Sequence, residues 1–331
     1  MNLVSDARYT LTPCEDARLW DAFCNASAEG TPFMQTWFTD AISKNVARYF
    51  CNHDSTPLAA VLVHLDEQQN PARALFSAHH TLCYAKHLGL DGNVGNVSKR
   101  FTIMEAVISA LTRIHRADLY LSLHPKVLDV RPLLWHNHDR TGDRVFDVAA
   151  RYTAIRDLTG VGDVRDLLKS IRKSRHEDYK KSLKQKIAVS PGATEAEIVH
   201  LYKLTFERQG IEVQADTLVA LQNIVRNLAP ERGFVIAARA ERGAAVAITL
   251  VLLGSEAAYS LVIASDPAYR NVGANTACIV AALLHAKGIG KRWFDFVGAN
   301  SPRRGDYKLS FRAELRCYFE ARLALVEPGA R

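Results

Sequence analysis

The alternation of apolar and polar positions is clearest between Gly233 and Val297. There GFVIAARA reads as a strand, ERG as a tight turn, AAVAITLVLL as a second strand, GSE as another turn and AAYSLVIAS as a third, which together predict a β-meander. The stretch DPAYRNVGAN then leads into TACIVAALLHAK, whose apolar positions Ile279, Val280, Ala282 and Leu283 predict a helix stopped by Gly288 and followed by the strand RWFDFV. The first half repeats this order loosely. PLAAVLVHL and RALFSA are expected as strands, FTIMEAVISALTRIH as a helix with Met104, Val107, Ile108 and Leu111 on one face, and DLYLSL as the strand after it. Helix start to following strand spans 18 residues in both halves, from Phe101 to Leu119 and from Asn275 to Trp293, so an internal duplication is expected. The first copy carries an insertion from His79 to Arg100, rich in Gly, His and Asn, of a length that is either functional or mobile.

Between the copies, Val164, Leu167, Leu168 and Ile171, then Tyr179, Leu183 and Ile187, fall on the stripe of one amphipathic helix, expected to end at Pro191 and Gly192. A second helix, EIVHLYKLTFERQG, follows. The first of these carries the charge: nine basic residues against three acidic ones between Arg165 and Lys186 give +6 of the chain's formal +7. Such a run is either the solvated face of a packed helix or a phosphate-binding ridge, and it lacks the Trp or Phe anchors of a membrane-surface helix. Composition narrows the class further. With 48% hydrophobic and 23% charged residues the chain is neither disordered nor collagen-like, and 331 residues allow two domains. There is no apolar run near the roughly 20 residues of a membrane span, and MNLVSDARYT has no signal-peptide pattern, so a cytoplasmic protein without a transmembrane segment is expected. The six cysteines include no CxxC pair and are expected as reduced, mostly buried thiols. HHTLCYAKH and HNHD lack the spacing of a zinc site, and no metal is expected. The architecture is α/β (α+β), two similar halves joined by a basic helical connector, divided as 1–158 and 159–331.

Two segments carry candidate chemistry. RNVGAN (Arg270 to Asn275) lies between a strand and a helix start, where unpaired amides favour phosphate oxygens and Gly273 lets the backbone come close. Its order resembles the pyrophosphate loop Q/R-x-x-G-x-G/A of the GCN5-related N-acetyltransferases (GNAT), with Asn275 in place of the last small residue. Beyond it, FDFVGANSPRRGDYKLSFRAELRCYF resembles the C-terminal signature of the FemAB-like transferases, which include peptidoglycan-bridge aminoacyltransferases and related N-acyltransferases of the GNAT superfamily. The matching positions are Gly273, Asn275, Gly288, Phe294, Asp295, Phe296, Gly298, Tyr307, Lys308 and Phe311; Tyr307 stands for the family's Phe and Arg312 for its Gly. Upstream, the segment Trp20 to Phe38, SIRKSRHEDYKKS and LTFERQG (Leu204 to Gly210) resemble further family segments, so the likeness spans most of the chain in consistent order.

The resemblance implies two tandem GNAT-like domains, each a mixed, mostly antiparallel sheet flanked by helices. Residues 1–158 would form the acceptor side, completed by the C-terminal tail, and 159–331 the connector and the donor domain. It implies direct transfer of an acyl or aminoacyl group from acyl-CoA or aminoacyl-tRNA, a co-substrate and not a resident cofactor, to an amine of a small molecule or cell-envelope precursor. Lys308 would polarise the donor carbonyl. Asp295, in an otherwise apolar strand, needs a partner: it would orient Lys308 or an arginine, act as base, or form a structural ion pair. Arg270, Gly273, Asn275, Tyr269 and Asn300 are the candidate donor-binding residues. Arg208, Tyr84, Arg172 and Lys173 are candidates for the acceptor or for phosphate, Tyr84 as an aromatic in an acceptor groove. There is no GxSxG elbow for a nucleophile. The alternative is a non-catalytic nucleic-acid-binding protein that uses the Arg165 to Lys186 ridge, which offers Tyr179 as its one stacking aromatic.

Overall fold

Strands buried on both faces form the centre of the first of two units, residues 1–151 with 317–331. The computed structural model describes residues 5–6, 8–43, 45–76, 79, 81–89, 95–139, 144–241 and 243–323, without the side chains of 5–6 and 302–304. Strands β1 (Ser5–Asp6), β2 (Tyr9–Pro13), β3 (Asn45–His53), β4 (Thr56–Leu65) and β5 (Leu82–Tyr84) form an antiparallel sheet in sequence order. Strand β4 is apolar on both faces because both are covered. Ala59, Val61 and Val63 pack with Ile103, Val107 and Leu111 of α3 (Gly95–Ile114), and Ala60 and Leu62 with Trp20 and Cys24 of α1 (Ala17–Ala26). Helices α2 (Thr36–Ile42) and α4 (Arg131–Trp135) complete the helical cover, and strand β6 (Leu119–Ser122) pairs antiparallel with residues 320–323. RALFSA is not a strand. Residues 75–76 are a turn in which Phe76 takes φ +52, which no ladder accommodates, and residues 77–78 lie outside the described ones. The third strand of this copy is β5 instead, inside the stretch read as an insertion, of which residues 90–94 also lie outside the description.

The second unit is residues 152–316. The chain enters it within β7 (Phe146–Asp157), and helices α5 (Val164–Ser170) and α6 (Lys173–Lys184) follow. Next come β8 (Ala188–Pro191), α7 (Glu195–Glu207), α8 (Ala215–Arg226), β9 (Gly233–Arg239), β10 (Ala245–Leu253) and β11 (Ala257–Ser265). Helix α9 (Ala274–Gly288), β12 (Trp293–Asp295), α10 (Pro302–Leu309) and β13 (Glu314–Leu323) end the described chain. The sheet runs β7-β12-β11-β10-β9-β8, antiparallel except for β11 beside β12. The meander and the crossover helix α9 form where period and turns place them. The basic connector differs: it is two helices, broken where Ile171 becomes extended and buries its side chain. Pro191 and Gly192 do not end it. Lys186 turns the chain at φ +52 and Pro191 closes β8, an edge strand that tolerates a missing N–H. Cys24, Cys51, Cys83 and Cys278 are buried free thiols, Cys14 and Cys317 half-buried ones. Among the described residues no helix is long and apolar enough to cross a membrane, and no three His, Cys, Asp or Glu side chains are grouped as metal ligands.

Helix α7 opens with a capping box, Thr194 and Glu197, and the same carboxylate meets Arg239. The Arg239 bond holds the Glu197 pKa down at about 2, helped by the Thr194 amide. A carboxyl depressed on folding stabilises above its unfolded value and loses that contribution as pH falls through the folded one. Replacing Glu197 with Gln is therefore expected to destabilise at pH 6 and to lose most of that effect as the pH falls to about 2, as read by chemical denaturation across that range.

Candidate active site

Strands β11 and β12 run parallel for three residue pairs, Ala257 with Trp293, Ala258 with Phe294 and Tyr259 with Asp295. Then they part, because β12 stops at Asp295 while β11 continues to Ser265 on its β10 side. Asp295 marks the apex of the resulting split. It is 2% exposed, and its carboxylate accepts from the Thr153 hydroxyl of β7 and from the Val297 amide at 2.7 Å. The Thr153 oxygen in turn accepts the Gly298 amide at 3.2 Å. So the partner of Asp295 is a hydroxyl with a backbone turn. Burial beside this carboxylate also pushes the Tyr259 phenol far up.

Lys308 sits near the end of α10 and reaches back to the same turn. Its ammonium donates to the carbonyls of Phe296 at 2.6 Å, Val297 at 2.8 Å and Gly298 at 2.6 Å. Three donors thus meet three backbone acceptors. After α10, Arg312 occupies the family's glycine position at φ +58, which explains why glycine suits it. Arg312→Gly is expected to raise stability by about 0.5–1 kcal/mol, the left-handed penalty less the entropy glycine adds to the unfolded chain, measurable as a shift in denaturation midpoint.

Around the start of α9 the connector closes in. A 3-10 turn (Pro267–Val272) leads to Gly273 at φ +81, and a Cβ built on Gly273 would lie 1.9 Å from the Asp178 carbonyl oxygen of α6. Helix α6 therefore lies directly on the glycine that the sequence reading assigned to a pyrophosphate. Asn275 donates to the Tyr307 hydroxyl at 3.1 Å, and Thr276 shares that hydroxyl at 3.3 Å. Arg175 of α6 stacks 4.8 Å from the Tyr307 ring centre and pairs with Asp178 at 2.9 Å. Burial raises the Tyr307 phenol. Arg172 makes a two-pronged bond to Asp306 at 2.9 and 3.0 Å, an exposed pair.

The sequence-predicted residues thus fall into separate groups. Lys308 and Asp295 converge on one turn. Gly273, Asn275 and Arg172 belong to the seat of α6. Asn300 extends the β7 ladder, its amide bonded to both the N–H and the C=O of Tyr152. Tyr269 packs half-buried on the core, while Arg270, Arg208 and Lys173 are exposed. Tyr84 is in the first unit and 1% exposed, with Arg100 4.1 Å above its ring and its hydroxyl on the Arg100 carbonyl, so it is core and lines no open groove. Sequence reasoning missed Thr153, Arg175 and the Val297 backbone. A polar residue on the inward face of a strand was the available signal for Thr153.

A crossover helix thus joins two parallel strands that separate beyond a short ladder, with the meander on one side. Residues 164–309 match the family profile of the acetyltransferase (GNAT) domain. The chain carries a GNAT acyltransferase domain. No curated protein sequence matches the chain. Among solved structures, FemX is similar with 12% identity over 93% of this chain and 96% of that one, at a TM-score of 0.64. L-PGS from Bacillus licheniformis is 11% identical over 95% and 93%, at 0.56. A tandem GNAT protein from the clavulanic acid biosynthesis pathway is 12% identical over 97% and 100%, at 0.53. These likenesses establish a tandem GNAT-like fold over nearly the whole chain.

Proposed function

We propose that the GNAT domain transfers an activated aminoacyl or acyl group to an amine of a small molecule or cell-envelope precursor by direct attack, at the split between β11 and β12. The reading rests on the domain match and on the end of pairing between these strands after Asp295, where an extended donor would lie. Aminoacyl-tRNA is the donor favoured by one observation: the Asp178 carbonyl lies against Gly273, so helix α6 packs on the glycine that a CoA pyrophosphate would need to approach. Helix α6 meanwhile presents Lys173, Lys180, Lys181 and Lys184 outward. Its Tyr179 packs on the core, which leaves that ridge without a stacking base platform and argues against a pure nucleic-acid binder. Acyl-CoA is the second reading, favoured by the GNAT domain itself and by exposed Arg270 beside the loop.

Binding measured against salt separates the two donors. With four lysines on phosphates, tRNA affinity should fall with a log–log slope of roughly −3, whereas a CoA pyrophosphate gives roughly −1. Transfer from acyl-CoA that releases thiol and ignores ribonuclease would end the tRNA reading.

A further inference from the structure

Val297 is a β-branched residue at φ +49, followed by Gly298 at φ +78. A left-handed valine is sterically costly and persists only where the surroundings over-determine it. Here they do, from two sides. Asp295 and Thr153 take the amides of Val297 and Gly298, and the Lys308 ammonium takes the carbonyls on either side and between them. This clamp lies directly after the last paired residue of β12, where β11 and β12 separate.

We propose that Lys308 is a positioning residue: it holds the Phe296–Gly298 turn in its left-handed form and so fixes the mouth of the β11–β12 split, acting through the backbone instead of donating to the carbonyl under attack. A lysine that served the substrate would keep at least one N–H directed away from the protein, but three short bonds converge on carbonyls. Methionine in its place removes all three bonds while keeping the length of the stem. The valine then relaxes out of the left-handed region, carrying the turn with it. Glycine at 297 is at ease in that region and needs no clamp. Dependence on Lys308 is thereby tied to the residue at 297, a coupling that a direct role in catalysis does not produce.

The test is a double-mutant cycle of Lys308→Met and Val297→Gly on the full chain, read by transfer rate and by amide exchange at residues 295–299. In the valine background K308M should lower the rate about 100-fold, the scale of an ångström-sized misplacement, and speed exchange at Val297 and Gly298 about tenfold. In the V297G background both effects should shrink to within a few-fold. Equal losses in the two backgrounds, or unchanged exchange in K308M, would overturn the proposal. If K308M fails to fold with Val297, a folded double variant supports the clamp and an unfolded one refutes it. The rate arm rests on the acyl-transfer reading and the exchange arm does not, so a coupled exchange result without any transfer would keep the clamp and remove that reading.

Discussion

Replacing Gly273 with alanine is expected to destabilise the second unit by about 3 kcal/mol, a left-handed penalty added to a backbone clash. The new Cβ meets the Asp178 carbonyl oxygen at 1.9 Å and its carbon at 2.7 Å, so helix α6 must move as a body, since no flexible side chain can yield. Gly290 supplies the comparison. It has the same φ of +81 but nothing within 4 Å of an added Cβ, so Gly290→Ala should cost only about 1 kcal/mol. The difference between the two, measured by thermal or urea unfolding, isolates the contact with α6. If Gly273 were instead present only to admit a pyrophosphate, its alanine variant would lose no more than Gly290→Ala, about 1 kcal/mol, and show a weaker affinity for acyl-CoA.

The second large effect is in the first unit. Glu29 and Arg100 form an ion pair at 3.0 Å with side chains 2% and 7% exposed, and the guanidinium rests on Tyr84. Ser27 and the Tyr84 amide complete the carboxylate's contacts. Removing one partner strands a buried charge, so Arg100→Met and Glu29→Leu should each cost about 3–5 kcal/mol, and the pair replaced together much less than the sum. Unfolding of the two single variants and the double variant checks this. Additive losses would mean that the two side chains contribute independently.

The ease with which parts of this fold read from sequence tracks how local their causes are. The β9–β11 meander and α9 follow from period and turn residues within a few positions of one another. The break at Ile171 does not, because an isoleucine there fits the helical stripe equally well whether the helix continues or bends to bury it. RALFSA has the composition of a strand, and only the left-handed backbone of Phe76, set by the turn it occupies, excludes it. The site divides in the same way. Asp295 was readable as a buried carboxylate in want of a partner, yet the partner is Thr153 on β7, two residues along from Ile155, which the register sets opposite Asp295. Lys308 was readable as a family position. What it bonds to is backbone, which has no sequence signature, and so the role proposed for it rests on geometry alone. Arg312 is the converse case, a departure from the pattern whose positive φ explains the pattern.

Following the transferred group itself tests whether this tandem GNAT-like chain moves an acyl group onto an amine. The purified protein is incubated with a pool of primary amines and either aminoacyl-tRNA or acyl-CoA carrying an isotopically labelled acyl carbon, and new amides are detected by mass spectrometry. A labelled amide is expected that requires the protein and, with aminoacyl-tRNA as donor, disappears when ribonuclease is added before the reaction. A folded protein that yields no labelled amide from either donor, across amino acids, amino sugars and cell-envelope precursors, would contradict acyl transfer.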